Sequence, residues 1–249
     1  MTDDVRWPSE ADAATEEDPT ARRHSPGATI WTVLLGLDLG LLALVALGSI
    51  FLFLTPGPSA AEATSEGTLT SGALWAQVAF AFVAFTVIPL GWIVGTRVGG
   101  WRGALAYLDL GPIGRGTWTG IAWTIAVFVA VGVIAAGYDA LGGSTENPQL
   151  EQIQSNMTWP LAVALALTAG VGEEILFRGI LQKKVGLWGQ AVLFGVVHAG
   201  YGTVLQVVLP LLLGLFFGLL VQRRQGLWTA IVVHTLFDFV VLASVLVAP

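Results

Sequence analysis

Seven apolar runs, at residues 30–54, 73–95, 117–137, 158–177, 187–200, 203–221 and 227–247, leave this chain little choice of fold. Most approach the roughly 20 residues that an α-helix needs to cross the hydrocarbon core of a bilayer. In that core every backbone N–H and C=O must be satisfied within the protein, which leaves helices as the form these runs can take. The composition agrees, with 55% hydrophobic and only 11% charged residues and a mean hydropathy of +0.75; soluble domains carry about 25% charge. The expected fold is all-α, a polytopic membrane helix bundle of about seven transmembrane helices. The fifth run is short and is parted from the sixth by Gly200-Tyr-Gly202, and Thr55-Pro-Gly-Pro58 and Leu110-Gly-Pro112 mark other breaks.

The bundle, residues 29–249, follows a polar segment. Residues 1–28 hold seven acidic residues against three arginines and so supply −4 of the net charge of −6. Such a segment reads as a disordered, solvated acidic tail on the cytoplasmic side, and His24 within it receives no role. The first apolar run exceeds the roughly 7–15 residues of a signal-peptide core and comes after a long polar leader, so it is expected to remain as an anchor. The chain has no cysteine. Disulfides, thiolate metal sites and a cysteine nucleophile are excluded by that inventory.

Lys and Arg set the orientation, because short cytoplasmic loops are enriched in them. Arg22 and Arg23 precede the first run; Arg97, Arg102 and Arg115 separate the second from the third; Arg178, Lys183 and Lys184 lie between the fourth and fifth; Arg223 and Arg224 follow the sixth. The alternate loops, 55–72 and 138–156, contain acidic residues and neither Lys nor Arg. The reading is a multi-pass integral membrane protein with a cytoplasmic N-terminus and an external C-terminus. Between the second and third runs, residues 101–110 mix Trp, Tyr and Leu with Arg and Asp, as a short interfacial helix does.

Within this apolar background a few ionisable groups stand out. Glu173-Glu174-Ile-Leu-Phe-Arg178 places two carboxylates and an arginine in the fourth run, Phe194-Gly-Val-Val-His198 places a histidine in the fifth, and His234-Thr-Leu-Phe-Asp238 follows in the seventh. Each such group costs roughly 2.5–3.5 kcal/mol at membrane depth on insertion scales, so it is kept for function or paired inside the protein. On a rise of about 1.5 Å per residue, Glu173, His198 and His234 lie roughly 12–16 Å from the cytoplasmic ends of their runs. A shared polar cavity at one level, open to the cytoplasm, accounts for all three. Glu174 and Arg178, four apart, can pair on one helix face, and Glu173 is turned about 100° away. Glu174 thus reads as support and Glu173 as the working carboxylate, a general base for water. His234 and Asp238 share a face and can hold a water, a metal ion or an oxyanion. The pairs Gly36/Gly40, Gly95/Gly99 and Gly214/Gly218 suit close helix packing, and Asp38 between the first pair belongs to no motif.

The ordered set Glu-Glu-x-x-x-Arg, Phe-x-x-x-His and His-x-x-x-Asp resembles the CPBP family of intramembrane proteases, which includes CAAX prenyl endopeptidases and bacterial Abi proteins. The likeness covers residues 157–249. It implies Glu173 as the water-activating base, His198 and His234 as its catalytic or metal-binding partners, and Glu174 and Arg178 as the supporting pair. Asp238 stands where many relatives have Asn. The implied function is an endopeptidase that cleaves a peptide or protein, prenylated or otherwise membrane-associated, presented from the cytoplasmic side, with no nucleic acid involved. Two versions stay open. In one, Zn²⁺ is held by His198, His234 and Asp238; in the other, Glu173 works without metal. The rivals from other classes are a scaffold or regulator without turnover, and a proton-coupled transporter.

Overall fold

A hydroxyl group starts each of the first two long helices. Ser25 accepts from the Ala28 N–H (3.1 Å) at the head of α1 (Pro26–Leu54), and Thr70 accepts from the Ala73 N–H (3.3 Å) at the head of α2 (Ser71–Thr96). Each satisfies one of the N–H groups that a helix start leaves without an intrahelical partner. This geometry is that of a computed structural model, which describes residues 25–55, 69–145, 147–201, 203–223 and 225–247. The acidic tail to residue 24 with Arg22 and Arg23, the loop 56–68 and Arg224 lie outside the described residues.

After α2 come a short α3 (Trp101–Leu108), α4 (Ile113–Ala140), α5 (Pro148–Gln154) and α6 (Trp159–Leu167), which runs directly into a π-helix (Thr168–Leu181). Then follow α7 (Gln182–Val197), a 3₁₀ turn (Ala199–Tyr201), α8 (Leu205–Gln222) and α9 (Leu227–Val247). The short helix expected at 101–110 is therefore present as α3. All regular elements among the described residues are helical, and six helical stretches are long and apolar enough to cross a membrane. The protein is a polytopic helical bundle.

The fifth expected run is set apart from the fourth at Gly186 as a short leg, so six stretches rather than seven meet the length of a membrane span. Runs 158–177 and 187–200 both fall in one stretch, Trp159–Val197, interrupted where Gly186 adopts φ 76° and ψ 178°. Glycine takes a positive φ without the Cβ clash that other residues meet. On a straight helix Phe177 and Phe194 would stand about 26 Å apart, yet their ring centres are 5.0 Å apart. The chain reverses at Gly186, and the leg that follows, 187–197, is about 16 Å long, roughly half of the hydrocarbon thickness.

This half-length leg is held by α8. Gln182 Nε2 and Gln190 Nε2 donate to the carbonyls of Gly218 (3.0 Å) and Gly214 (2.8 Å). The glycines have no side chain to shield those carbonyls, and a Cβ on Gly214 would lie 3.0 Å from the Ala191 Cα. The Gly214/Gly218 expectation holds. The other two pairs are corrected: Gly36 and Gly40 have no neighbour within 4 Å, and Gly99 sits in a turn at φ 84° while only Gly95 packs, against Trp31. At the basic end, the first N–H groups of α9, on Leu227 and Trp228, donate to the carbonyls of Asp109 (3.0 Å) and Leu110 (3.1 Å), locking the loop before α9 to the loop before α4.

The contact that positions the site is between the π-helix and α9. A Cβ on Gly170 would lie 2.6 Å from the Thr235 N and 2.7 Å from its Cα, so the two backbones can meet only because residue 170 is glycine. Gly170→Ala is expected to lower stability by about 1–3 kcal/mol, the usual range for overpacking a filled interior. Gly36→Ala is expected to leave it unchanged. Thermal unfolding of the two variants in the same detergent checks the difference.

Candidate active site

The floor of the site is the buried run from Glu174 to Leu181 on the π-helix. π-helices are rare and concentrate at functional sites, because the wider turn re-aims side chains relative to an α-helix. Here one oxygen, Glu174 Oε1, accepts from Arg178 Nη1 at 2.7 Å and from His234 Nδ1 at 2.8 Å, with Glu174 and Arg178 side chains both fully buried. The guanidinium lies among three aromatic rings, 4.4 Å from the Phe194 ring centre, 5.2 Å from Phe217 and 5.9 Å from Phe177. A buried cation gains from the negative ring faces as well as from its counter-ion. The sequence motif anticipates Glu174 and Arg178. It does not anticipate Phe217, which stacks on His234 at 5.1 Å and 29°, because a phenylalanine in an apolar run carries no distinguishing signal.

Glu173 points the other way, into a cavity, and keeps 15% of its side chain exposed. Its Oε2 lies 4.0 Å from His234 Nε2, and Asp238 Oδ2 lies 3.3 Å from the same nitrogen. With Nδ1–H committed to Glu174, the imidazole presents Nε2 to both cavity carboxylates. His198 caps the end of α7; its Nδ1–H donates to the Phe194 carbonyl at 2.6 Å, and its ring lies 4.8 Å from the Phe194 ring. The expected neighbourhood of Phe194 and His198 is thus present. Glu173, His198, His234 and Asp238 all line one cavity of ≈ 530 Å³, while Glu174 and Arg178 lie beneath it. Asp38 stands apart on α1, with Oδ2 unpartnered among the described residues.

Both imidazoles have Nδ1–H engaged by an oxygen acceptor, the arrangement that directs Nε2 towards a metal ion in metal–histidine sites. The donor set of two imidazoles and a carboxylate also suits Zn²⁺. As the side chains stand, the described residues contain no group of three His, Asp or Glu close enough to hold an ion.

The direction of the cavity corrects an expectation. Its walls come from the heads of α2 and α8, the tails of α4 and α9, α5 and the segment joining α4 to α5, through residues such as Leu74, Gln77, Thr145, Asn147, Gln206 and Leu242. Among the described residues, none that lines the cavity belongs to the loops that carry Lys and Arg. That end is closed by a core in which Ala104 and Leu108 of α3 pack with Ile175, Phe177, Ile180, Leu181 and Leu227. The cavity opens at the end opposite the basic loops, not towards them. A second recess of ≈ 450 Å³, apolar throughout, lies between α4 and α8 and shares Val131, Leu209 and Leu213 with the first.

Comparison with known proteins bears on this stretch of the chain. Residues 155–240 match the family model of Rce1-like, type II CAAX prenyl endopeptidase Rce1-like. Over those residues the chain is similar to CAAX prenyl endopeptidases. The match includes Glu173, Glu174, Arg178, His198, His234 and Asp238. A curated relative, the uncharacterized protein YpbD of Bacillus subtilis (strain 168), is 29% identical over 91 residues, which are 36% of this chain. The matched stretch spans about half of that relative's length, 48%. No solved structure matches.

Glu174 is the counter-ion of a fully buried guanidinium, so its loss should be felt first in folding. Glu174→Ala is expected to destabilise by about 3–5 kcal/mol, the cost of leaving one partner of a buried pair uncompensated. Replacing both partners, Glu174→Leu with Arg178→Met, is expected to recover most of that loss. Thermal unfolding of the single and double variants provides the comparison.

Proposed function

We propose that the chain is an intramembrane endopeptidase in which Glu173 is the general base for an attacking water. The observation that carries this reading is the convergence of Glu173 Oε2 and Asp238 Oδ2 on His234 Nε2, within 4.0 Å, at the floor of a cavity lined also by His198. The family likeness supports the same reading at the level of a membrane protease.

In this mechanism a water in the cavity gives a proton to Glu173 and its oxygen attacks the peptide carbonyl carbon. His234 acts as an imidazolium, with Nδ1–H on Glu174 and Nε2–H facing Asp238; its Nε2–H meets the developing oxyanion, and Asp238 acts through His234. Preorganised donors of this kind lower the barrier because they need no reorientation when charge appears. Glu173 then passes its proton to the leaving nitrogen, and the C–N bond breaks. Glu174 does no proton transfer; it holds the His234 ring through Nδ1. Where Zn²⁺ is bound, His198, His234 and Asp238 are the residues that would hold it, and the ion would supply a nucleophilic hydroxide near neutral pH. The apolar recess between α4 and α8 suits a substrate with a membrane-embedded apolar part lying beside the peptide in the main cavity.

Glu173→Gln keeps size and hydrogen bonding but removes the base, so peptide cleavage by purified protein is expected to fall by about 10²–10⁴-fold. Thermal stability is expected to stay close to that of the parent. Undiminished cleavage would remove Glu173 from the mechanism. For the metal version, chelation is expected to abolish both activity and bound zinc, and added Zn²⁺ to restore both. Full activity in protein shown to be metal-free would leave the metal-independent version. Asp238→Asn adds a further separation: it weakens zinc binding if Asp238 is a ligand and leaves activity nearly unchanged if the side chain only hydrogen-bonds.

A further inference from the structure

The charges and the cavity sort to opposite ends of this molecule. Of the eleven Lys and Arg residues, Arg6, Arg22 and Arg23 precede α1, and Arg97, Arg102, Arg115, Lys183, Lys184, Arg223 and Arg224 fall in the three loops at one end. The remaining one, Arg178, is the buried partner of Glu174. Residues 117–177, which run through the opposite end and back to the site, hold no Lys or Arg, and neither do 24–96. Such an asymmetry is the strongest orientation signal a membrane protein carries, and it assigns the basic loops to the cytoplasm.

The basic end is also the sealed end. Trp101–Leu108 lies across it, with Leu108 Cδ2 where a Cβ on Gly179 would be 3.0 Å away, and every residue from Glu174 to Gln182 is buried. Lys183 Nζ donates to the Tyr107 carbonyl and ties this helix down. At the other end, Thr145 and Gln77 are exposed while lining the same cavity as Glu173, and Gln206 follows them inward. The mouth is edged by neutral polar groups, with Asp139 and Glu151 exposed on the elements beside it.

We infer that the catalytic cavity is entered from the extracytoplasmic face, so that its substrate is a peptide segment exposed outside the cytoplasm, at or above the outer leaflet. This rests on the endopeptidase reading for the word substrate, and on the geometry alone for the side of access. A cytosolic C-terminal peptide would meet the packed end of the bundle, where α3 and the π-helix leave no passage to Glu173.

The lack of cysteine makes the side of access measurable on the full chain in intact cells. Thr145→Cys and Gln206→Cys report the mouth and the cavity, and Lys184→Cys reports the basic end; Thr145 and Lys184 are exposed, so these two substitutions leave packing alone. A small membrane-impermeant, sulfonate-bearing thiol reagent is expected to label Thr145→Cys and Gln206→Cys before permeabilisation and Lys184→Cys only after it. Labelling of Lys184→Cys in intact cells, or of Gln206→Cys only after permeabilisation, would overturn the inference. Repeating the labelling in a Glu173→Gln background separates the two readings. If the parent chain and that variant give the same result in detergent, either both cleaving peptide or neither, the Glu173 peptidase reading fails, and the labelling pattern decides the side of access on its own.

Discussion

Everything at this site depends on one carboxylate oxygen. Glu174 Oε1 neutralises Arg178 and at the same time fixes the imidazole of His234, so the ion pair that makes the arginine tolerable at depth also orients the histidine ring. Removing an isolated charge from water is prohibitively costly, and a paired one still needs its remaining protons accommodated. The rings of Phe194, Phe217 and Phe177 do part of that work around the guanidinium. The same Phe194 supplies the carbonyl that holds His198, and the same Phe217 stacks on His234. Stabilising the buried cation and orienting the two imidazoles are therefore a single arrangement of side chains.

The adjacent residue has the opposite task. Glu173 faces the cavity and is free of the ion pair, and one step along the π-helix is enough to move a carboxylate from the core to the reaction space. The close approach of that helix to its neighbours depends on glycine at two points, Gly170 against Thr235 and Gly172 against Phe85 and Thr86. Thr86 lies in the short π segment of α2, Val83–Val87. Two widened turns thus face each other across glycine, just above the buried pair.

Much of this was legible in the amino-acid sequence, and the reasons are physical. Length and hydropathy report lipid contact directly, so the helical bundle followed from the apolar runs. The i, i+4 spacings of Glu174 with Arg178 and of His234 with Asp238 report side chains that meet within one helix, and both meet. What joins different helices was less visible. Nothing in the spacing tells that Glu174 and His234, sixty residues apart, share a hydrogen bond. The π-helix has no compositional mark, and Gly186 reads like any other glycine until the chain reverses there. The direction of the cavity was misjudged for a related reason: depth along a run can be counted from either end, and only the packing of α3, through Ala104 and Leu108, against Leu176 and Leu227 shows which end is closed.

The uneven distribution of packing between the two ends has a dynamic consequence. Beneath the site one cluster of twelve buried apolar side chains draws on α1, α2, α3, the π-helix, α7 and α9. Around the mouth a cluster of six among the described residues, Leu74, Val78, Ile153, Met157, Leu161 and Ala162, joins α2, α5, α6 and the segment between the last two. Local opening draws on whichever region has the fewest buried contacts, and proteins span a wide range of such opening free energies within one fold. The molecule is in effect a stiff cup with a compliant rim. The residues of the candidate site sit on the more heavily packed part, and the short α5 helix lies at the rim.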